Sequence, residues 1–516
     1  MTETAAPTLD SNRTDTIADL IDPERAQTMV LEDLAALRPA LEKIAIDPPE
    51  YASISHTKRF LERWSSDYRF QAKFQDAPQE ILDEWNFELT VDEARWLTDP
   101  NFIVEHPDVP MPERVREYGE WNRWKFINRD LIKLDAPAPP NWKKWRQRQI
   151  NRLLLSSGAQ SHRSVVHAPW TAELSRGCSV GCWFCGVDAA KFDGAWPYTE
   201  ENAHEWRGFL KSMYAVAGDG GQHGFCYWAT DPLDNPDWLD FLGDFHATFG
   251  SLPQTTTAMP FRNVEFTRKV VEFYAEHGQW INRFSVTTKK DFEMLHKNFS
   301  EEELKFWELI PQFENRAAPK ATAGRVRKLV LERLESERKI AFDYNLENPG
   351  SISCVSGFLC NLPERRVRLI SPVPACDRWP LGYYVYADET WDHIDELQGI
   401  LENMIKTQMK TTVDPTDPLH PAHQVSFDHE GEDVLVLQGC DTKIRTTGMV
   451  GAEIMAEYLN RGTTAIELAS ALHTQLDPWQ VFHQINRVFH LGAIADEPAH
   501  SEWEPESASL TIGASS

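Results

Sequence analysis

Residues 171–185 read TAELSRGCSVGCWFC, and they place Cys178, Cys182 and Cys185 on a loop that directly follows a strand predicted at 171–176. The CxxxCxxC spacing lets three thiolates ligate three irons of a [4Fe–4S] cluster and leaves the fourth iron open. A zinc site would usually need four ligands from paired CxxC or His elements, and the nearest histidines lack that spacing. Three buried structural cysteines are the alternative. The spacing therefore predicts a [4Fe–4S] cluster with one open coordination position.

Short apolar runs alternate with amphipathic stretches along the central part of the chain, a pattern typical of βα units in a parallel sheet. Strands are predicted at 171–176, 224–229, 254–259, 282–288, 351–358 and 366–371. These six units predict an α/β fold, a partial (β/α)6 barrel over residues 166–410. Ligands bind at the carboxyl ends of the strands in parallel α/β folds, so we expect the functional residues there.

The rest of the chain is predicted to form two further domains and two tails. Periodic leucines and aromatic residues favour an α-helical N-terminal domain at 17–165. Near the C-terminus three predicted strands precede three predicted helices, at 424–427, 433–437, 443–446, 448–460, 464–475 and 478–490. This order predicts a winged-helix-like α+β module at 421–497. The polar ends, 1–16 and 498–516, are predicted to be disordered tails.

The composition of the 516-residue chain excludes several classes of protein. Lys and Arg number 52 against 79 Asp and Glu, which gives a net charge of −27 and disfavours nucleic acid as a partner. The sequence has no apolar run near the roughly 18 residues that span a bilayer and no signal peptide, which predicts a cytoplasmic protein without a membrane partner. Eight cysteines are too few for a disulfide framework.

Phe184 stands directly before the last cysteine of the motif, and the motif with this aromatic residue resembles the signature of the radical S-adenosylmethionine (radical SAM) superfamily. The resemblance covers about residues 165–375. It implies that the three cysteines hold the cluster, that Phe184 lies in the cofactor site and that SAM binds the fourth iron. It also implies that a 5′-deoxyadenosyl radical from SAM abstracts hydrogen from the substrate, with an electron donor such as flavodoxin or ferredoxin.

The same resemblance indicates further SAM contacts. The superfamily places a GGEP-like turn after the second strand to hold the SAM amino group, and this chain has Thr230 and Asp231 there, with Asp in place of the longer Glu. An ordinary Asp-Pro turn is the alternative. On the fourth predicted strand, Ser285 and Thr287 share one face by alternation and are candidates to bond the SAM ribose or carboxylate. Hydroxyl side chains are also common on strands without any such role.

The remaining five cysteines form no CxxC pair, so a second cluster is not predicted. Cys376 lies in SPVPACDRWP at 371–380, just beyond the sixth predicted strand, and is therefore predicted at the same rim of the barrel. A thiol there can return a hydrogen atom to a carbon radical from the opposite face and so invert the stereocentre. Cys354, Cys360 and Cys226 are successively weaker candidates for this role, and a buried core cysteine is the alternative.

The stretches at 173–189 and 371–383 resemble the proteusin-type radical SAM peptide epimerases, which mature ribosomally made peptides. The resemblance implies L-to-D inversion at Cα atoms of a precursor peptide, with Cys376 as hydrogen donor. A crosslinking or methylating radical SAM enzyme and a catalytically silent leader-binding scaffold remain alternatives.

Two other segments resemble elements of peptide recognition. The module at 421–497 is similar to PqqD-like elements that bind a leader peptide by strand addition. A DNA-binding winged helix is the competing interpretation, which the scarcity of basic residues there disfavours. Residues 57–97 resemble leader peptides of the Nif11 and nitrile-hydratase type and could mimic a leader; a helical cap packed on the barrel is the alternative.

Overall fold

The computed structural model describes residues 51–134, 137–278, 281–313, 321–340 and 342–498. The predicted tail at 1–16, residues 499–516 of the predicted tail at 498–516 and the helices predicted before residue 51 lie outside the described residues. The chain divides into two compact units, Met1–Leu131 and Ile132–Ser516. The helix at 140–164 belongs to the second unit, and the limits of the predicted domains stay predictions.

The helices in chain order are α1 (Ile54–Ser66), α2 (Tyr68–Asp76), α3 (Pro78–Glu84), α4 (Val91–Thr98), α5 (Pro100–Glu105), α6 (Glu113–Leu134), α7 (Pro140–Ser164), α8 (Glu200–Ala217), α9 (Trp238–Phe249), α10 (Val264–Glu276), α11 (Lys289–Asn298), α12 (Gly324–Glu335), α13 (Ile394–Gln408), α14 (Ala452–Arg461), α15 (Ala465–Leu472) and α16 (Pro478–His490). The strands are β1 (Ala168–Glu173), β2 (Ser175–Arg176), β3 (Gly194–Ala195), β4 (Thr256–Thr257), β5 (Asn282–Val286), β6 (Trp307–Pro311), β7 (Val355–Asn361), β8 (Arg366–Pro372), β9 (Tyr383–Thr390), β10 (Pro418–Leu419), β11 (Ser426–Glu430), β12 (Val434–Gln438), β13 (Lys443–Thr446) and β14 (Thr463–Thr464). Within the described ranges, no helix combines the length and the apolar character needed to cross a membrane.

The first unit has its own aromatic core. Phe60 of α1 is fully buried, and its ring centroid lies 5.6 Å from that of Phe74 and 5.5 Å from that of Phe87. Phe70 packs into the same cluster at 5.9 Å from Phe60. The aromatic residues of the stretch at 57–97 therefore serve to pack its helices, and leader mimicry by this stretch stays a prediction.

Two sheets organise the part of the second unit that precedes the C-terminal module. The four-stranded sheet has the order β1-β7-β8-β9, in which β1 is parallel to β7, β8 is antiparallel to β7, and β9 is antiparallel to β8. The three-stranded sheet β4-β5-β6 is parallel. The segment 224–229 contacts both sheets, because Phe225 forms a bridge with Thr171 of β1 and the Tyr227 hydroxyl lies 3.0 Å from Thr256 Oγ1 of β4.

The mixed α/β class is confirmed, but the predicted arrangement of six parallel strands is wrong in part. The predicted strand at 366–371 is β8, and it runs antiparallel to β7. Only residues 362–365 connect the two strands, whereas a parallel connection needs roughly a dozen residues or more. The sequence pattern does not predict β6 or β9, and 224–229 contributes a bridge rather than a ladder. The described strands do not close into a barrel.

The four-stranded sheet separates two clusters of buried side chains. Phe358 and Cys360 of β7 belong to the main core, where α8, α9 and α13 cover the sheet. Leu359, the residue between them, belongs to a second cluster, which also contains Phe225, Val355, Ile370, Val373, Trp379, Tyr383, Tyr384 and Val385. Since successive side chains of a strand point to opposite faces, the second cluster lies on the other face of the sheet.

The C-terminal module contains three strands and three helices in the predicted order. β11, β12 and β13 form an antiparallel sheet in that order, and α14, α15 and α16 follow. Asn460 of α14 bonds both backbone groups of Phe427 in β11, accepting from its N–H at 2.9 Å and donating to its carbonyl at 2.7 Å. This side chain therefore covers the outer edge of β11.

Candidate functional site

The three motif cysteines lie on one loop, residues 177–186, which we call the cluster loop. Cys178 N–H donates to Ala190 O at 2.9 Å, and this bond fixes the beginning of the loop. Just after the end of the loop, Ala189 N–H donates to Cys185 Sγ at 3.3 Å. All three cysteines are half-buried. Burial, together with the neighbouring thiols of Cys178 and Cys185, raises the pKa of the Cys182 thiol to about 12. The structure thus brings the three thiols together.

This arrangement fits a [4Fe–4S] cluster. No group of three or more His, Cys, Asp or Glu side chains within the described ranges converges to hold a single metal ion. A cluster takes each thiolate on a different iron, so its ligands do not have to meet at one point. Burial raises the pKa of Cys178 to about 11, so the Cys178 and Cys182 thiols need a bound cation to deprotonate near neutral pH.

Asp234 anchors the first half of the cluster loop. Its fully buried carboxylate accepts from Ser179 N–H at 2.9 Å and from Ser179 Oγ at 2.5 Å, and Arg262 Nη1 lies 2.5 Å away. Charge-assisted bonds of this kind are about twice as strong as neutral ones. The sequence pattern does not indicate Asp234, because its partners lie 55 and 28 positions away and only the adjacent Asp-Pro turn marks the place.

The N-terminal end of α12 anchors the second half. Arg325 N–H donates to Cys185 O at 2.9 Å, and its guanidinium donates to Cys182 O at 2.8 Å and to Ala189 O at 2.7 Å. Gly324 has φ +53°, and a Cβ there would overlap Gly186 O. Only glycine allows this close approach, so α12 meets the loop through backbone and one guanidinium.

Gly186, the residue after the last motif cysteine, packs against Ile352, since a Cβ at Gly186 would overlap the Ile352 side chain. Ile352 O accepts from Cys354 Sγ at 3.6 Å. The cluster loop therefore reaches the segment that precedes β7. Phe184 lies half-buried with its ring centroid 5.7 Å from that of Trp183, and the Trp183 ring in turn packs tilted against Phe342 at 4.7 Å.

Glu173 ends β1 and is buried just before the cluster loop. Its Oε1 accepts from Ala229 N–H at 3.0 Å and its Oε2 accepts from Asn361 Nδ2 at 2.8 Å. Burial raises the pKa of Glu173 to about 7. The side chain therefore joins the turn that starts at Ala229 to the ends of β1 and β7, a role that no sequence pattern indicates.

Asp231 is buried in the turn predicted to hold the SAM amino group. Its carboxylate accepts from Thr257 Oγ1 at 2.7 Å, Ala258 N–H at 2.8 Å and Leu233 N–H at 3.0 Å. Burial raises its pKa to about 6. The carboxylate thus joins this turn to β4, while Thr230 beside it is half-buried.

Ser285 lies on the face of β5 that the alternation predicts, and Thr287 directly follows the strand. Phe284 and Val286 are buried in the main core, so the two hydroxyl side chains between and after them are directed away from it. Thr287 Oγ1 donates to Asp291 Oδ2 at 2.8 Å. The Thr287 hydroxyl therefore helps to start α11.

The four cysteines considered as hydrogen donors fall into two pairs. Cys226 and Cys360 are buried in the main core, where burial raises the pKa of each thiol well above its usual value. Cys354 and Cys376 are half-buried and both pack against the second cluster, on the other face of the sheet. The structure therefore places only the second pair on the face opposite the helices.

The predicted position of Cys376 needs one correction. The prediction puts it at the carboxyl rim of a parallel barrel. Because β8 is antiparallel to β7, its last residue, Pro372, lies at the end of the sheet where β1 and β7 begin. Cys354 immediately precedes β7, and Ala375 N–H donates to Gly350 O at 3.0 Å. The segment before β7 and the segment after β8 therefore lie together at this end of the sheet.

Comparisons with known proteins give one clear relative. No family model matches the chain. Over 381 residues the chain is 37% identical to the uncharacterized protein y4wI of Sinorhizobium fredii, an alignment that covers 72% of this chain and 74% of that protein. Among solved structures, BtrN in complex with AdoMet and 2-DOIA is similar over 46% of this chain and 87% of its own, at 12% identity and a TM-score of 0.27. A TM-score this low does not establish a common fold.

Proposed function

The chain belongs to the family of the Sinorhizobium fredii protein y4wI, a name that assigns no activity, and from its own site we propose that it is a radical SAM peptide epimerase. It inverts L-amino acids to D-amino acids in a ribosomally made precursor peptide. The observation that carries this proposal is the meeting of the cluster loop with the segments that hold Cys354 and Cys376. Gly186 packs on Ile352 beside Cys354, and α12 bonds both Cys185 O and Pro380 O of the segment after Cys376.

Cys178, Cys182 and Cys185 would hold the cluster. When bound, the cluster and SAM supply a carbon-centred radical that removes the Cα hydrogen of the substrate residue. Asp234 and Arg325 hold the loop backbone from both sides, so the three thiols keep their relative positions without the substrate. We assign SAM contacts to Phe184, Thr230 and Ser285, with Asp231 and Thr287 fixing the elements beside them.

The hydrogen atom returns from the thiol of Cys376. Its S–H bond breaks and a new Cα–H bond forms on the face opposite the abstraction, which inverts the residue. The sulfur radical that remains becomes a thiol again by taking one electron and one proton, the electron coming from an external donor such as flavodoxin or ferredoxin. Cys354, at the same end of the sheet, is the second candidate for this donation.

The C-terminal module would bind the leader of the precursor peptide. Asn460 covers the outer edge of β11, so the sheet offers β13 as the edge for strand addition. Pairing there would leave the modified part of the peptide free to reach the cysteines. A crosslinking or methylating enzyme and an inactive leader-binding scaffold are the other outcomes that the following experiment distinguishes.

The proposal is tested with reconstituted protein, SAM, a strong reductant and a leader-bearing peptide in D₂O. We expect 5′-deoxyadenosine together with the gain of one deuterium for each inverted residue. Crosslinking would instead remove two hydrogens, methylation would add a methyl group, and a scaffold would cleave no SAM. Cys376→Ala should still form 5′-deoxyadenosine but stop deuterium uptake, whereas the buried control Cys360→Ala should retain it. If deuterium uptake persists in Cys376→Ala and stops in Cys354→Ala, the hydrogen donor is Cys354 and not Cys376.

A further inference from the structure

The segment at 494–498, which we call the strap, contacts residues 373–382, the loop between β8 and β9 that carries Cys376 and that we call the Cys376 loop. Glu497 Oε1 accepts from the indole N–H of Trp379 at 2.6 Å and pairs with Arg378 Nη1 at 2.8 Å. Arg378 Nη2 also donates to Pro498 O at 2.9 Å. Trp379 is almost fully buried, and its carbonyl accepts from Cys376 N–H at 3.3 Å. Glu497 is therefore connected to Cys376 through one residue.

A second anchor fixes the strap beneath the same loop. Asp496 pairs with Arg152 at 2.6 Å and with Arg148 at 3.0 Å, both of which are buried in α7. Arg152 Nη2 in turn donates to Ser371 Oγ at 2.9 Å and to Pro372 O at 2.7 Å, at the end of β8. The strap and the start of the Cys376 loop thus share one buried guanidinium.

The strap is continuous with the C-terminal module. Ile494 forms a bridge with Pro421, Ala495 N–H donates to His420 O at 2.9 Å, and Ala422 N–H donates to Ala493 O at 2.8 Å. These bonds hold the strap to the first residues of the module, directly after α16. A shift of the module relative to β8 would therefore pull on the residues that hold Trp379.

We propose that Glu497 is a positioning residue that holds Cys376 in place through Trp379, and that the strap links the C-terminal module to this thiol. The link supplies a physical route by which a peptide bound to the module sets the approach of Cys376. The positioning of the thiol stands on the contacts of the strap alone, while its use in hydrogen return rests on the proposed function.

Alkylation of the full-length chain tests the positioning without any activity. We compare Glu497→Gln and Trp379→Phe with wild type, and we use Asp377→Asn as a matched control, because this exposed carboxylate on the same loop pairs with Arg327 instead of the strap. The rate at which iodoacetamide modifies Cys376, relative to Cys354, is read by peptide mass spectrometry. Loss of one charged bond should raise this ratio about threefold to tenfold in both strap variants and leave it unchanged in the control. An unchanged ratio in both strap variants overturns the inference.

A second measurement separates this inference from the proposed function. In D₂O, Glu497→Gln should take up about threefold less deuterium per 5′-deoxyadenosine formed, with the KM for the peptide unchanged, because the thiol is displaced while the cluster loop is intact. If Glu497→Gln loses deuterium uptake and 5′-deoxyadenosine formation to the same extent, Glu497 has a general structural role and the positioning of Cys376 is contradicted. If wild type takes up no deuterium while the alkylation ratio still rises, the proposed function fails and the strap stands.

Discussion

The cluster loop and the Cys376 loop each carry half-buried thiols, but they are held by different means. Side chains from two other elements, Asp234 and Arg325, bond directly to the backbone of the cluster loop. The Cys376 loop is held through a buried tryptophan by the strap, more than a hundred residues later in the chain. The cluster loop is thus held by residues that bond it directly, whereas the Cys376 loop is also tied to the C-terminal module. Under the proposed function, the rigid loop would serve the cofactor and the adjustable loop would serve the substrate.

One helix contacts both loops. Arg325 bonds the cluster loop, while Arg327, two positions later, pairs with Asp377 of the Cys376 loop at 2.6 Å. Gly324 N–H donates to Pro380 O at 2.8 Å. The start of α12 therefore fixes the spacing between the two sets of thiols, and variants along it can disturb one loop at a time.

The largest expected difference between the loops concerns iron. Cys182→Ala should lose nearly all of the iron and sulfide that reconstituted wild type binds, because a cluster held by two thiolates is not retained. Cys376→Ala should bind as much iron as wild type. Iron and sulfide are measured after gel filtration, together with the visible absorption of the cluster. Equal iron loss in the two variants would contradict the proposal that the cluster loop, and not the Cys376 loop, ligates the cluster.

A smaller difference is expected along α12. Arg325→Gln removes the bonds to two carbonyls of the cluster region, so we expect several-fold faster loss of iron to a chelator. Arg327→Gln, the matched control, should release iron at the wild-type rate. The time course of cluster bleaching gives both rates. If Arg327→Gln also loses iron faster than wild type, the effect comes from α12 in general and not from the bonds of Arg325.

Glu173, which lies just before the cluster loop, should make the free energy of unfolding depend on pH. Its pKa of about 7 exceeds the ordinary value of 4.5, so between these pH values the unfolded chain releases a proton that the folded chain keeps. The free energy of unfolding should therefore fall as the pH rises from 4.5 to 7, by up to about 3 kcal/mol. Glu173→Gln should make the decline smaller and leave the part due to Asp231, whose pKa burial raises to about 6, as measured by urea unfolding of the apoprotein. The exposed control Glu335→Gln should follow wild type; a wild-type profile without the decline would count against the buried acid.

The smallest effect is expected at Asp377. Its carboxylate is 95% exposed, and surface ion pairs contribute little to stability. Asp377→Asn should leave the melting temperature within about 1 °C of wild type, by differential scanning fluorimetry. A larger fall would show that α12, and not the strap, is the main support of the Cys376 loop.

The features that sequence could predict are those with a local pattern. The spacing of Cys178, Cys182 and Cys185 indicates a shared ligand set because all three lie on one loop. The strands and helices of the C-terminal module follow from short-range periodicity. In contrast, the direction of β8 depends on the short connection at 362–365, a constraint that a strand pattern alone does not express.

The side chains that hold the two loops in place could not be predicted from the sequence for a related reason. Asp234, Arg325 and Glu497 act on partners 55, 143 and 118 positions away, and each looks in sequence like an ordinary charged residue near an apolar stretch. Burial decides their roles, and burial is a property of the assembled fold. The separation of Cys226 and Cys360 from Cys354 and Cys376 has the same origin, because the two pairs lie with clusters on opposite faces of the sheet.

The hairpin of β7 and β8 has a practical consequence for labelling. Its turn at 362–365 lies at the far end of the hairpin from both Cys354 and Cys376, and Gly357 pairs with Ile370 near the other end. The same turn lies against the residues before the cluster loop, since the N–H of buried Leu362 donates to Glu173 O at 3.2 Å and Pro363 O accepts from Arg176 Nη2 at 3.1 Å. A fluorophore attached at this turn would therefore report on the start of the cluster loop, while Cys354 and Cys376 lie at the other end of the hairpin.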